Sequence, residues 1–176
     1  MNKYRFVTIT ISVAVLGCRH DQQRSAATQD TVASTRSGVA SAESLSCPAD
    51  LPRLADYAVD SIFRGKPAAV DFTSDPDSRE YRTVLTRAAA RGPNFAGHYT
   101  IATWGCGSPC QSNVILDAGT GRIVASFNSN VGAAYRVDSR LLIVNPPDSA
   151  GCYDRECAYC RPVAYRWIGT GLDSIW

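Results

Sequence analysis

The sequence has almost no net charge and few histidines. The lack of net charge excludes one large class of partner. Lys and Arg number 18 against 16 Asp and Glu, and there are two His among 176 residues. Two of the basic residues, Lys3 and Arg5, precede the first apolar run, so the rest of the chain balances at 16 against 16. A neutral chain lacks the positive field that supplies most of the affinity for nucleic acid. We therefore expect no nucleic-acid partner.

Signatures of several enzyme classes are missing as well. The chain contains no G-x-S-x-G elbow, no phosphate-binding loop and no dinucleotide fingerprint. Its one CxxC pair, Cys157 and Cys160, has no second pair to complete a zinc site, and the predicted domain has a single His. The sequence predicts neither a metal nor a cofactor. Hydrophobic residues make up 45% of the chain, which is ordinary for a globular protein of one domain.

Residues 1–17 have the pattern of an export signal, a basic start followed by an apolar stretch from Phe6 to Leu16. That stretch is shorter than the roughly 20 residues of a membrane span. It leads into Val-Leu-Gly-Cys, ending at Cys18, which resembles the lipobox of bacterial lipoproteins with Val15 in place of the more usual Leu. The resemblance implies a diacylglyceryl thioether and an added acyl chain on Cys18, which together anchor a protein stably. An ordinary cleaved signal and an uncleaved anchor are the alternatives.

Residues 18–46 combine the lipidated cysteine with a segment of Ser, Thr, Ala, Gln and Gly that has almost no large apolar side chains. Such a segment cannot bury enough surface to offset its ordering entropy, so we predict a flexible tether with a reach of about 30 Å. In enteric lipoproteins an Asp after the Cys favours inner-membrane retention, whereas Arg19 stands there here. The resemblance therefore implies an outer-membrane lipoprotein facing the periplasm. Its expected partners are the membrane, through the lipid, and an envelope protein or cell-wall ligand.

Six cysteines remain, and an even number in an exported domain favours disulfides. They are Cys47, Cys106, Cys110, Cys152, Cys157 and Cys160. Six cysteines allow fifteen pairings, and the sequence does not choose between them. We predict a local bridge from Cys106 to Cys110 and a bond from Cys47 to the cluster at 152–160. The charged neighbours of the CxxC pair favour a structural bridge over thioredoxin-like chemistry.

Residues 47–176 are predicted to form one α+β domain, a mostly antiparallel β-meander with one or two packed helices, stapled by disulfides. Pro76 and the apolar spacing after it predict a helix that ends near Gly92. An earlier segment after Pro52 fits a helix, or a strand over 57–63. Beyond Gly97 the period changes to two, and we expect one apolar face of each strand, with Tyr99 and Ile101, then Val114 and Leu116, to pack inward. Turns are predicted at 119–121, 138–140 and 169–171.

Three motifs lie close together in the sequence: NFAGHY ending at Tyr99, WGCGSPC beginning at Trp104, and DAGTGR beginning at Asp117. From Gly65 to Trp167 the chain resembles an uncharacterised group of exported bacterial proteins built around NFAGHY, WGCGxxC and DxxTGR. The resemblance implies a domain of this size in a lipoprotein or periplasmic setting. It transfers no mechanism.

Strand parity brings candidate functional residues together. If opposing positions of the two strands around the Trp104 loop sum to about 215, His98 faces Asp117, and the next hairpin sets Asp117 opposite Arg122. Such a row most commonly decorates a solvated face. The alternative is that Asp117 orients His98 as a general base or binding group, beside Asn94 and Trp104. A register slip of one residue is expected to separate His98 from Asp117.

Three functions remain open. The favoured one is a non-catalytic binding or assembly module whose surface includes the segment from Asn94 to Cys110. The rival is a small periplasmic hydrolase that uses His98 and Asp117 with an unplaced Ser, and a third possibility is an inhibitor of a wall-degrading enzyme. Cys106 is the one sensible thiol nucleophile, but its neighbour Cys110 argues against that role. Carboxylates for glycoside cleavage are also open among Asp71, Asp117, Asp154 and Glu156.

Overall fold

The structure, a computed structural model, describes residues 45–176. The predicted export signal at 1–17, the predicted lipidation at Cys18 and nearly all of the predicted tether lie outside the described residues. Within them the fold is α+β, with one α-helix and antiparallel sheets, as predicted. No helix in this part of the chain is long and apolar enough to cross a membrane. The first strand begins at Leu45, two residues before the predicted start of the domain.

Nine strands form three sheets in the described chain. They are β1 (Leu45–Ser46), β2 (Tyr99–Gly107), β3 (Cys110–Asp117), β4 (Ile123–Ser129), β5 (Ala133–Tyr135), β6 (Leu141–Val144), β7 (Tyr153–Asp154), β8 (Val163–Trp167) and β9 (Leu172–Ser174). The meander β2–β3–β4 forms one sheet, β5–β6–β8–β9 forms a second, and β1 pairs with β7. The three predicted turns are confirmed, because they join β3 to β4, β5 to β6 and β8 to β9.

The helix predicted from Pro76 is present, but its first part is wound more tightly than expected. A 3₁₀ helix at Pro76–Tyr81 leads into the α-helix α1 (Arg82–Ala90). The prediction of a long helix or a strand after Pro52 was wrong. A 3₁₀ helix covers only Leu54–Tyr57, and the chain then continues without a regular helix or strand.

The reason lies in the segment 58–71, which we call the strap. Its backbone donates hydrogen bonds to distant carbonyls, from Phe63 N to Gly97 O at 2.7 Å and from Asp71 N to Gly121 O at 2.8 Å. Buried or partly buried backbone groups need such partners. Because the strap finds them in other parts of the fold, it forms no continuous helical or strand ladder of its own.

The sheet β2–β3–β4 is packed on both faces, which corrects the expectation of one inward face. Ile101 pairs with Ile115, and both pack towards the four-stranded sheet. Ala102 pairs with Val114 on the opposite face, which packs against α1. The prediction failed because β3 is apolar at three consecutive positions, Val114 to Leu116, so that alternation could not identify the buried side.

Three disulfides are present, and both predicted bonds are among them. Cys106 bonds to Cys110, Cys47 bonds to Cys152, and Cys157 bonds to Cys160. The Cys47–Cys152 bond links residues 105 positions apart and fastens the beginning of the described chain to the loop before β7. A cross-link between distant residues restricts the unfolded chain more than a local one does.

Candidate functional site

An open cleft of about 520 Å³ lies between the strap, the loop before β2, and strand β8. We call it the His98 cleft. It is lined by Val59, Asp60, Ser61, Ala96, His98, Tyr99, Arg140, Arg166, Trp167, Ile168 and Gly169. The lining therefore combines aromatic and apolar side chains with two arginines, one histidine and one carboxylate.

His98 and Asp117 meet beside this cleft. The distance from His98 Nε2 to Asp117 Oδ1 is 3.2 Å, with 42% of the imidazole side chain exposed and 19% of the carboxylate side chain. Phe63 packs edge-on against the imidazole at a ring-centroid distance of 4.9 Å. Because Nε2 faces Asp117, Nδ1 is the ring nitrogen that remains for a ligand.

The contact forms although the predicted register was wrong by one residue. Asp117 pairs with Tyr99 across β2 and β3, and His98 precedes the strand. Because His98 lies outside β2, the alternation of side chains along the strand does not fix its direction. Gly97, with φ of +74°, turns the backbone just before it. The expectation that such a slip would separate His98 from Asp117 was also wrong.

Asp117 holds the turn between β3 and β4 with the same oxygen that faces the imidazole. Oδ1 accepts hydrogen bonds from the backbone N–H of Gly119 at 2.8 Å and of Thr120 at 2.9 Å. Burial raises the pKa of the Asp117 carboxyl, but these N–H donors and the charge of His98 outweigh it, so the pKa lies below its ordinary value. The carboxylate is thus a structural anchor of the turn as well as a partner of His98.

Two glycines of the same turn permit close approaches. A Cβ on Gly119 would stand 3.2 Å from His98 Nε2. A Cβ on Gly121 would stand 1.8 Å from the carbonyl oxygen of Ala69 in the strap, and Gly121 also has φ of +75°. The motif DAGTGR therefore serves to dock the imidazole and the strap against one turn.

The arginines of the cleft come from outside the three motifs. Backbone hydrogen bonds position Arg140, which donates from its N–H to Tyr57 O and accepts at its carbonyl from Trp167 N, both at 2.8 Å. Its guanidinium lies 3.4 Å from the carboxylate of Asp60, and that of Arg166 lies 2.7 Å from Asp173. The Arg140 guanidinium also donates to the carbonyl oxygen of Ala58, from Nε at 3.4 Å and from Nη2 at 3.3 Å. Exposed ion pairs of this kind contribute little to stability, so they oppose a competing anion only weakly.

Sequence reasoning missed both arginines because their approach to His98 depends on how the two larger sheets pack together. The two arginines themselves come together within one sheet, where Leu141 of β6 pairs with Arg166 of β8. Arg140 stands at a predicted turn and Arg166 in a predicted strand, but no spacing links either of them to His98. The one signal in the sequence was an arginine just before one predicted strand and another within the next. That signal is too common to identify a site.

The other predicted site residues do not join the His98 cleft. The side-chain amide of Asn94 is engaged with the backbone of Ile101, accepting at 2.7 Å and donating at 3.0 Å. Arg122 accepts from the Asp117 N–H through its backbone carbonyl. Hydrogen bonds from Thr73 lower the pKa of Asp71, and the charge of Arg122 adds to that shift. Trp104 lines a different cleft.

The structure also bears on the catalytic candidates. Cys106 is bonded to Cys110 and has no free thiol. Ser61 is a hydroxyl residue in the lining of the His98 cleft, but no hydrogen bond joins it to His98 within residues 45–176. Asp71 and Asp154 each accept a hydrogen bond from a backbone N–H two residues ahead, as Asp117 does. Among the described residues no group of three His, Cys, Asp or Glu side chains is placed to hold a metal ion.

Comparison with known proteins identifies no relative. No protein-family model, curated protein or solved structure matches the chain.

Proposed function

We propose that the protein is a cell-envelope lipoprotein whose domain is a non-catalytic binding module, and that its His98 cleft captures an anionic ligand. The lipobox ending at Cys18 supports the envelope setting, and the three disulfides suit an oxidising compartment. Intact mass of the membrane-extracted protein tests this part of the proposal, with acylated Cys18 expected at the mature N-terminus.

The observation that carries the binding proposal is the convergence of Arg140, Arg166 and His98 on one open cleft. A guanidinium presents a planar fork of N–H donors that matches a carboxylate or phosphate group. Asp60 is the one carboxylate in the lining, and its side chain is 94% exposed, so it can turn away from Arg140 when an anion arrives. The expected ligand therefore carries a carboxylate or phosphate group.

The walls of the cleft add a requirement for apolar surface in the ligand. Trp167 is almost fully buried and packs edge-on against Tyr99 at a ring-centroid distance of 4.7 Å. Ile168, at the rim, is 56% exposed and adds apolar surface to the cleft. An anion with an apolar neighbour, such as a short acyl or peptide carboxylate, fits this combination better than a bare ion.

Binding is favoured over hydrolysis because no nucleophile is joined to the imidazole. Ser61 lines the cleft but makes no hydrogen bond with His98 within residues 45–176, and the thiol of Cys106 is bonded to Cys110. The second candidate, a hydrolase, is supported by the contact between His98 and Asp117 and by the presence of Ser61 in the cleft. A hydrolase would turn over an ester probe, and His98→Ala and Ser61→Ala would each abolish that turnover.

Calorimetric titration of the detergent-solubilised full chain tests the proposal, with inorganic phosphate and hexanoate as probes. The double variant Arg140→Gln and Arg166→Gln is expected to weaken anion affinity by about tenfold or more, which corresponds to about 1.4 kcal/mol. Arg64→Gln with Arg155→Gln is the matched control, because it removes two exposed arginines that do not line the cleft. An equal loss in the control, or no binding of either anion by the wild type, would contradict the proposal.

A further inference from the structure

A second cleft, of about 350 Å³, lies between the 3₁₀ helix Pro76–Tyr81 and the sheet β2–β3–β4. We call it the Trp104 cleft. It is lined by Asp75, Asp77, Ser78, Glu80, Tyr81, Trp104, Ser112, Asn113, Val114, Ser126 and Asn128, and it shares no lining residue with the His98 cleft. We propose that the Trp104 cleft binds a saccharide that carries a free amino group. This inference does not depend on the ligand of the His98 cleft.

An aromatic pair forms one wall of the Trp104 cleft. Trp104 stacks on Tyr81 with a ring-centroid distance of 4.4 Å and an interplanar angle of 26°. Rigid aromatic surface of this kind packs well against the C–H groups of a sugar ring. Trp104 is partly exposed as a residue, whereas its Nε1 is buried and has no hydrogen-bond partner in the described chain. A ligand in the cleft therefore meets the ring of Trp104 rather than its N–H.

A row of polar side chains continues from the aromatic pair across the sheet. Trp104 pairs with Ser112 across β2 and β3, and Ser112 pairs with Asn128 across β3 and β4. The side chains of Ser112, Ser126 and Asn128 make no hydrogen bond within residues 45–176, whereas the neighbouring buried Asn113 bonds to Thr103 and Ser129. The fold therefore uses the amide of Asn113 and leaves the row unused. Adjacent hydroxyl and amide groups at strand spacing suit the hydroxyl groups of a sugar.

Charge decides which sugar fits best. Asp75, Asp77 and Glu80 line the cleft, no basic residue lines it, and none of the three forms a salt bridge in the described chain. Arg79 lies within the 3₁₀ helix between Asp77 and Glu80, but it does not line the cleft and forms no salt bridge in the described chain. Arg82, which follows the helix, lies over the ring of Phe72. A carboxylate accepts hydrogen bonds from hydroxyl groups and also attracts an ammonium group. A free amine on the sugar therefore meets unpaired negative charge, whereas an acetylated amine does not.

The test titrates the solubilised full chain with the trimer of glucosamine and the trimer of N-acetylglucosamine, followed by calorimetry and tryptophan fluorescence. The glucosamine trimer is expected to bind and change the fluorescence, with an affinity about tenfold or more above that of the acetylated trimer. The double variant Asp77→Asn and Glu80→Gln is expected to abolish most of that preference. Both side chains are exposed, so the thermal midpoint should not move.

The matched control is Asp50→Asn with Glu156→Gln, which removes two exposed carboxylates outside the cleft and should leave the affinity unchanged. Asn128→Ala should weaken the binding of both trimers, because it removes an amide that can bond to the hydroxyl groups of the sugar and does not change the charge. The proposal is overturned if neither trimer binds, if both bind equally, or if the control loses as much as the cleft variant. Tetramethylammonium binding as tightly as the glucosamine trimer would also overturn it, because the site would then recognise a cation alone.

Discussion

The turn at 117–122 and the wall of the His98 cleft face the same imidazole but use their side chains in different ways. In the turn, Asp117 and Gly121 are engaged in holding backbone together, the first through two N–H groups and the second through contact with the strap. In the wall, Arg140 and Arg166 extend into an open cleft, where their partners are exposed carboxylates and, for Arg140, the carbonyl oxygen of Ala58. The comparison teaches that the most recognisable part of this sequence builds the domain, whereas the arginines that we propose to bind the ligand lie outside every motif.

Because of this difference, substitutions in the turn and in the wall should have different effects. Changes in the turn should alter stability first, and changes in the wall should alter ligand affinity with little effect on folding. The two responses separate only if the turn and the wall are perturbed one at a time. His98 contacts both, so its substitution should change both stability and ligand affinity.

The largest expected effect is at Gly121. Replacement with Ala places a Cβ 1.8 Å from Ala69 O at a residue with φ of +75°, so either the strap or the turn must move. We expect Gly121→Ala to lower the free energy of unfolding by at least about 2 kcal/mol, measured by chemical denaturation. Gly105→Ala is the control, because nothing lies within 4 Å of its added Cβ, and its change should stay within about 0.5 kcal/mol. Similar stabilities for the two variants would show that the strap is not held at this turn.

A smaller effect is expected at Asp117. Asp117→Ala removes the acceptor for two N–H groups and should cost about 2 kcal/mol, whereas Asp117→Asn keeps an acceptor and should cost less. The pKa of this carboxyl is lowered in the fold. Its contribution to stability is therefore complete above the unfolded pKa of about 3.9 and is lost as the pH falls through the lower folded value. Between pH 5 and pH 2 the free energy of unfolding should fall more steeply for the wild type than for Asp117→Asn. Parallel curves would show that the charge of Asp117 does not stabilise the fold.

Much of the fold could be predicted from the sequence because the relevant signals are local. The turn glycines, the period-two strands and the Pro76 helix start each depend on a few neighbouring residues, and all are present in the structure. The strap was not predictable for the opposite reason. Its conformation follows from hydrogen bonds to Gly97 and Gly121, which are distant in sequence. The face assignment of β3 failed because the apolar run from Val114 to Leu116 carries no alternation to interpret.

The candidate site shows the same division. The pairing of His98 with Asp117 was predicted from strand parity, yet the contact arises from a residue just outside β2 in a register shifted by one. Arg140 and Arg166 join them only through the packing of two sheets, which no local pattern encodes. Trp104 was singled out for its motif, and its cleft depends on Tyr81 and the 3₁₀ helix from another part of the chain.

The most direct test of the central claim is a titration of the full chain with hexanoate, followed by the NMR resonances of the His98 imidazole. His20 lies outside the described residues, and the His98→Gln variant assigns the signals. If motif residues build the site and the arginines bind the ligand, the His98 resonances should shift and saturate in the wild type, but not in Arg140→Gln with Arg166→Gln, with unfolding unchanged. Equal shifts in that variant, or none in the wild type, would contradict the account.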